Sequence, residues 1–234
     1  MTIIKEVTVA GQTYPVTISD ENRALLDAKA AGRAIIGIWS LEAEGTDFSD
    51  CLYLVREPGD VTEELLERTV RRHLDMPWTI AETKRLRIRE FAAGDPLEEP
   101  SADDGDGVFS DGGKREAYRS SQYRFYECGM WALERREDGQ IIGKAGLTDG
   151  ELAYHVFPPF RRCGYAREAC EAILEYGRDV MGLDCVFLRA AWDNQASVAL
   201  ALELGFTFLR REMDTVVFRR SIHAPSCPVT VDKK

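Results

Sequence analysis

The stretch Val156-Phe157-Pro158-Pro159-Phe160-Arg161-Arg162-Cys163-Gly164-Tyr165-Ala166 constrains this chain more than any other. ELAYHVF, which leads into it, reads as a strand, and two successive prolines cannot donate to a β-ladder, so the strand has to end there. Beyond the loop, Ala166, Ala169, Cys170, Ile173, Leu174, Gly177 and Val180 recur at spacings of three and four, which predicts a helix over about 165–181. A strand, an Arg- and Gly-bearing loop and a helix start then follow one another. This gathers unsatisfied N–H groups and the positive end of a helix dipole at one spot. Such a spot suits an anion, and a diphosphate in particular. Gly164 lets the backbone close on the phosphates, and the small Ala166 keeps the first turn open. An ordinary β-turn-α connection with surface arginines has the same pattern, so the loop alone leaves both readings standing.

The flanking pattern alternates strands with helices. TIAETKRLRIREF sets Leu86 and Ile88 between Arg85, Arg87 and Arg89, as a half-exposed strand would. MWALERR and IIGKAGL flank the turn Glu137-Asp138-Gly139-Gln140 and predict an antiparallel hairpin. DCVFLRAAW reads as a strand, Asn194 opens a helix that Gly205 stops, and FTFLRR with TVVFRR predicts a closing hairpin. Residues 94–114 are too polar to bury themselves, which predicts a disordered loop or a flexible acidic flap over an amine site.

Residues 1–77 read as a separate small α/β unit without recognisable chemistry. Val7 and Val9 face Tyr14, Val16 and Ile18 across Ala10-Gly11-Gln12 in a predicted hairpin, and Ser19 is placed to cap a helix that Gly32 stops. The apolar runs 34–39 and 51–55 are strand-like. Asp60 with Glu63 forms a capping-box pattern before a helix that Pro77 ends. Residues 78–220 form the second predicted domain, and 221–234 read as a tail.

Composition excludes several classes. Thirty basic against 40 acidic residues give a net charge of −10, the wrong sign for counterion-releasing nucleic-acid binding. No run approaches eighteen apolar residues, so no membrane span is expected, and the N-terminus lacks the pattern of a signal peptide. The cysteines at 51, 128, 163, 170, 185 and 227 and the scattered His73, His155 and His223 lack metal-ligand spacing, so no metal site is expected. Reduced thiols in a cytoplasmic protein are the expectation.

Arg161-x-x-Gly164-x-Ala166 resembles the R/Q-x-x-G-x-G/A loop of the GNAT superfamily of N-acetyltransferases. ETKRLRIREF is similar to that family's first strand, particularly in the branch related to ribosomal-protein N-terminal acetyltransferases. IIGKAGL is similar to its third strand and ELAYHVF to its fourth. Asn194-Gln195-Ala196-Ser197 leading to Leu204-Gly205-Phe206 resembles the signature after the fifth strand, and the resemblance covers about residues 79–220. It implies an α/β (α+β) fold: a mixed, mostly antiparallel sheet with splayed central strands flanked by helices. It also implies acetyl-CoA as acyl donor and a primary amine as acceptor, either a small molecule or a protein N-terminus, with transfer direct in a ternary complex. The donor's pantetheine arm would lie along Val156 and Phe157. The backbone from Arg161 through Arg162, Cys163, Gly164 and Tyr165 to Ala166 would hold the diphosphate, and Asn194 and Ser197 would face the cofactor arm. Asn194 is equally suited to a plain N-cap.

An attacking amine must be neutral, which favours a general base. Glu151 and His155 share a strand face but stand about 13 Å apart at 3.3 Å per residue. Glu151 is the candidate to act through water, and His155 reads as a sheet residue. Relatives often carry a tyrosine that protonates the departing sulfur at a position that is Ala201 here. Tyr154 is the candidate substitute, with Tyr165 in a neighbouring segment. The Ala201 departure also admits a non-catalytic acyl-CoA-binding or regulatory module.

Overall fold

The computed structural model describes residues 1–39, 47–99 and 107–222. The chain divides into two compact units, Met1–Trp78 and Thr79–Lys234.

In the first unit, β1 (Thr2–Val9) and β2 (Gln12–Ser19) form an antiparallel hairpin with Val9 opposite Gln12. The helix α1 (Asn22–Ala30) leads to β3 (Ala34–Ile38), which runs parallel to β2 and to the short β4 (Leu54–Val55). The helix α2 (Glu63–His73) follows. Val16, Ile18, Ile36 and Ile38 pack with Leu66 and Val70 into the core of this unit. The strand expected over 51–55 shrinks to two residues because Cys51 is drawn into a turn, its N–H donating to the Phe48 carbonyl at 2.8 Å. The helix caps also differ in detail from their expected residues. Glu21 is the N-cap of α1, and the Ser19 hydroxyl accepts the Glu21 N–H. Asp60 accepts the N–H groups of Arg56 and Glu57 within a preceding 3₁₀ turn, and the Thr62 hydroxyl caps α2.

The second unit holds an eight-stranded sheet in the order β11-β12-β10-β9-β8-β7-β6-β5. Its elements are β5 (Thr79–Glu82), β6 (Leu86–Arg89), α3 (Gly112–Tyr118), β7 (Gly129–Arg135), β8 (Ile141–Thr148), β9 (Glu151–Val156), α4 (Tyr165–Asp179), β10 (Cys185–Ala191), α5 (Gln195–Glu203), β11 (Thr207–Glu212) and β12 (Thr215–Ser221). Every neighbouring pair is antiparallel except β9 with β10. The expected mixed, mostly antiparallel sheet is therefore present. TIAETKRLRIREF is a hairpin rather than one strand, because the Thr83 hydroxyl accepts the Leu86 N–H and turns the chain.

Within 94–114, residues 100–106 lie outside the described residues, but the stretch ends in structure. Asp111 caps α3, which continues as a π-helix over Arg119–Tyr126. Buried arginines anchor this segment: Arg115 donates to the Pro96 carbonyl and Arg119 to the Phe91 carbonyl, each at 2.8 Å. Most of the expected tail also lies outside the described residues. Ser221 still closes β12, and the buried Ile222 donates its N–H to the Asp184 carbonyl.

The helix α4 lays Ala169, Cys170, Ile173, Leu174 and Gly177 into the core. Its Tyr176 ring meets the fully buried Trp131 edge-on at 5.6 Å, a geometry aromatic pairs prefer. A Cβ at Gly177 would stand 2.8 Å from Leu147 Cδ1, so the missing side chain sets how closely helix and sheet approach.

Candidate active site

The sheet opens between its two parallel strands. β9 and β10 pair only at Glu151 with Phe187 and Leu152 with Leu188. β9 nevertheless stays paired with β8 up to Val156, and β10 with β12 up to Ala191. Both far edges are thus held while the near edges part. The phase of the backbone follows from two bonds: Phe187 N–H donates to the Gly150 carbonyl at 2.8 Å, and Phe157 N–H donates to the Ile142 carbonyl of β8 at 2.9 Å. Backbone groups alternate sides along a strand, so those of Tyr154 and Val156 point into the gap. The Val156 carbonyl accepts Arg161 Nε at 2.8 Å, so this guanidinium folds back on the strand end.

Past the strand, Pro158–Phe160 form a 3₁₀ turn that engages the Arg161 N–H with the Pro158 carbonyl at 3.3 Å. Arg162 (φ +62°) and Gly164 (φ +80°) both adopt left-handed backbone. Gly164 is the N-cap of α4, and no side chain caps the helix. Among the described residues, the N–H groups of Arg162, Cys163 and Gly164 have no protein acceptor. Those of Tyr165, Ala166 and Arg167 head the helix, where intrahelical bonding does not reach; the first such bond runs from Glu168 to Gly164 at 3.2 Å. The loop is solvent-exposed, including the Cys163 thiol.

Tyr154 is half-buried and reaches towards Ser197 of α5. Burial pushes its phenol above the ordinary tyrosine value, and the hydrogen bond with Ser197 opposes that shift only in part. Asn194 caps α5, its Oδ1 accepting the Ser197 N–H at 3.1 Å. Ala201 is fully buried, so its methyl belongs to the core. Glu151 lies at the opposite, paired end of β9, where its carboxylate accepts Arg189 Nε at 2.9 Å. Arg189 also donates to Glu212, and the group forms an exposed ion-pair chain. His155 stands 3.5 Å from Arg161 Nη2, with Phe157 beside it. The structure therefore brings Val156, the Arg161–Ala166 loop, Tyr154, Ser197 and Asn194 around one opening and sets Glu151 at the vertex of the wedge.

Sequence reasoning missed a group that buttresses the loop from behind. Arg85, in the β5–β6 turn, donates from Nη1 to the Cys163 carbonyl at 2.8 Å and from Nε to Glu168 Oε2 at 2.6 Å. The Thr83 hydroxyl and the Arg85 N–H both donate to Glu168 Oε1, at 2.6 and 2.9 Å. The Arg85 guanidinium lies 4.4 Å from the Tyr165 ring centroid, a cation–π distance. Burial works against ionising Glu168, yet these donors outweigh it and hold its carboxyl below the ordinary value. Arg85 alternates with apolar residues and reads as one more solvated strand residue; nothing local marks it.

The family model for the GNAT acetyltransferase domain matches residues 60–207, more than half of the chain. The chain belongs to the GNAT acetyltransferase family. The Bacillus subtilis (strain 168) protein YoaA, named as an uncharacterised N-acetyltransferase, is 31% identical over 83 residues, which are 32% of this chain and 47% of that protein. The chain thus spans about half the length of that curated relative. The ribosomal-protein-S5-alanine acetyltransferase of Vibrio fischeri shares the fold at a TM-score of 0.50 and 13% identity, over 63% of this chain and 97% of that one. A GNAT-family acetyltransferase of Bacillus anthracis gives a TM-score of 0.49 at 18% identity, over 60% of this chain and 96% of that one.

Proposed function

We propose that this chain is an acetyl-CoA-dependent N-acetyltransferase that moves an acetyl group directly to a primary amine in a ternary complex. The observation that carries the reading is the wedge beyond Leu152, whose unpaired strand edge leads straight into the amide-lined loop at 162–167. Bound acetyl-CoA supplies a thioester, an arm with two amides and a diphosphate. The Tyr154 and Val156 backbone offers an edge that an extended amide chain can pair with. The N–H groups of Arg162, Cys163, Gly164, Tyr165 and Ala166 would hold the diphosphate, and the Arg161 guanidinium would brace the strand end beside them. Phe157 would border the arm, and the Asn194 amide and Ser197 hydroxyl would face it from the other wall.

The chemistry requires a neutral amine, and an amine like that of lysine is neutral about once in a thousand at pH 7. Glu151 would accept its proton through water, oriented by Arg189. Tyr154, whose phenol stays protonated at neutral pH, would donate a proton to the departing sulfur. In this reading residues 78–220 carry the activity in the cytoplasm, residues 1–77 serve a structural or partner-binding role, and the acceptor is a small amine or a protein N-terminus.

The buried Ala201 favours one rival, a binding module that has lost its proton chemistry. Thermal shift with acetyl-CoA, followed by thiol release across amines and peptides with free N-termini, separates the two. Stabilisation with release supports transfer, and stabilisation without release on any acceptor supports the module. Absence of stabilisation removes the donor site.

A further inference from the structure

We infer that Arg85 is a positioning residue for the donor's diphosphate: it locks the Cys163–Gly164 peptide so that the Gly164 N–H faces the anion. The inference rests on the proposed reading of the 162–167 loop and assigns a role to a residue seventy-eight positions earlier in the chain. In a trans peptide the carbonyl and the following N–H point in opposite directions. Arg85 Nη1 holds the Cys163 carbonyl at 2.8 Å on the β5–β6 side, and this sends the Gly164 N–H to the opposite side.

Such a lock is needed because glycine itself imposes little. Without a Cβ, Gly164 tolerates either orientation of the preceding peptide. The lock is rigid because every part of it is held. Arg85 Nε is fixed on Glu168 Oε2, Glu168 Oε1 is fixed by Thr83 and the Arg85 N–H, and the guanidinium rests against the Tyr165 ring. Arg85 Nη2 stands 3.4 Å from where a Gly164 Cβ would be, so the guanidinium fills the space behind the glycine. The same contacts neutralise Glu168, an acid in the first turn of a helix that would otherwise repel a phosphate.

The test uses the full chain with CoA and with pantetheine, which lacks the diphosphate. Arg85→Met should weaken CoA binding about tenfold, the value of one hydrogen bond to a charged group, and leave pantetheine binding unchanged. Arg85→Lys keeps the charge but loses the two-point fork, and should remain about fivefold weaker than the parent protein. In amide spectra, CoA should shift the Gly164 proton downfield in the parent protein and not in Arg85→Lys, while the Ala166 amide still responds in both. Equal loss of both ligands, CoA affinity of Arg85→Lys equal to the parent, or an unaltered Gly164 shift would each overturn the lock alone. A parent protein that shows no saturable CoA binding would overturn the donor site as well. Should Arg85→Met not fold, Arg85→Lys and the Gly164 signal decide the matter.

Discussion

At Tyr154 a phenol is half-buried on a strand edge with one hydroxyl partner, Ser197. Its raised pKa keeps it an acid, so a proton donor here should act throughout neutral pH and fail only as pH climbs past the ordinary tyrosine value near 10. Tyr154→Phe should lower kcat by about a hundredfold, the low end for a general acid, with KM for acetyl-CoA nearly unchanged; steady-state rates on any accepted amine check this. Glycine 164 invites a second test. Its φ of +80° costs a residue with a Cβ about 1–2 kcal/mol, so Gly164→Ala should lose about that much stability in denaturant titration. Gly164→Glu adds negative charge at the loop proposed to hold the diphosphate, and its CoA affinity should fall much further than its stability. The strand that carries Tyr154 and the helix start at Gly164 were legible in the sequence, because paired prolines must end a strand and the apolar spacing beyond them is helical. The partner of Glu151 was not, since Arg189 reaches it from β10 and is itself shared with Glu212 of β11.

Among the elements, α4 joins loop to core. Its carboxylate at Glu168 is held below its ordinary value by Thr83 and Arg85, against the pull of burial. A depressed carboxylate contributes stability that is complete above its unfolded value near 4.3 and is lost as pH falls through the lower folded value. The stability difference between the parent protein and Glu168→Gln should therefore be constant from about pH 5 upward and shrink below about pH 4. Chemical denaturation across that range checks it. Further along the helix, Gly177→Ala gains about 1 kcal/mol of helix propensity. It also drives a methyl to 2.8 Å from Cδ1 of Leu147, which is fully buried in a close-packed interior. Overpacking of this kind costs about 1–3 kcal/mol, so the variant should melt lower than the parent protein. The helix, its start and the apolar face up to Gly177 were legible because the spacing of three and four repeats over fifteen residues, whereas Val180, read into that face, is the exposed C-cap residue. The segment from α3 through the π-helix over Arg119–Tyr126 was hidden, because its buried Arg115 and Arg119 satisfy the carbonyls of Pro96 and Phe91 and so look like surface residues in a linear reading.

Across the whole molecule, the two units each hold their own core, and the residues proposed to hold the donor all belong to the second. A ligand that binds only the folded state stabilises it by about 2.7 kcal/mol at a hundred times its Kd. Hydrogen exchange with acetyl-CoA should show this protection concentrated in residues 141–205, with amides of residues 2–38 unaffected. The mixed, mostly antiparallel sheet of the second unit was legible through the family resemblance, whereas its full strand order was not read. The turn at Thr83 was not, because the hydroxyl that reverses the chain sits within an unbroken strand-like pattern. The parting of β9 from β10 has a consequence for kinetics. Each strand keeps a complete ladder on its outer side, so the notch between them stands ready before any visitor arrives. Association should then be a single bimolecular step at about 10⁵–10⁷ M⁻¹s⁻¹, with no plateau in observed rate as concentration rises.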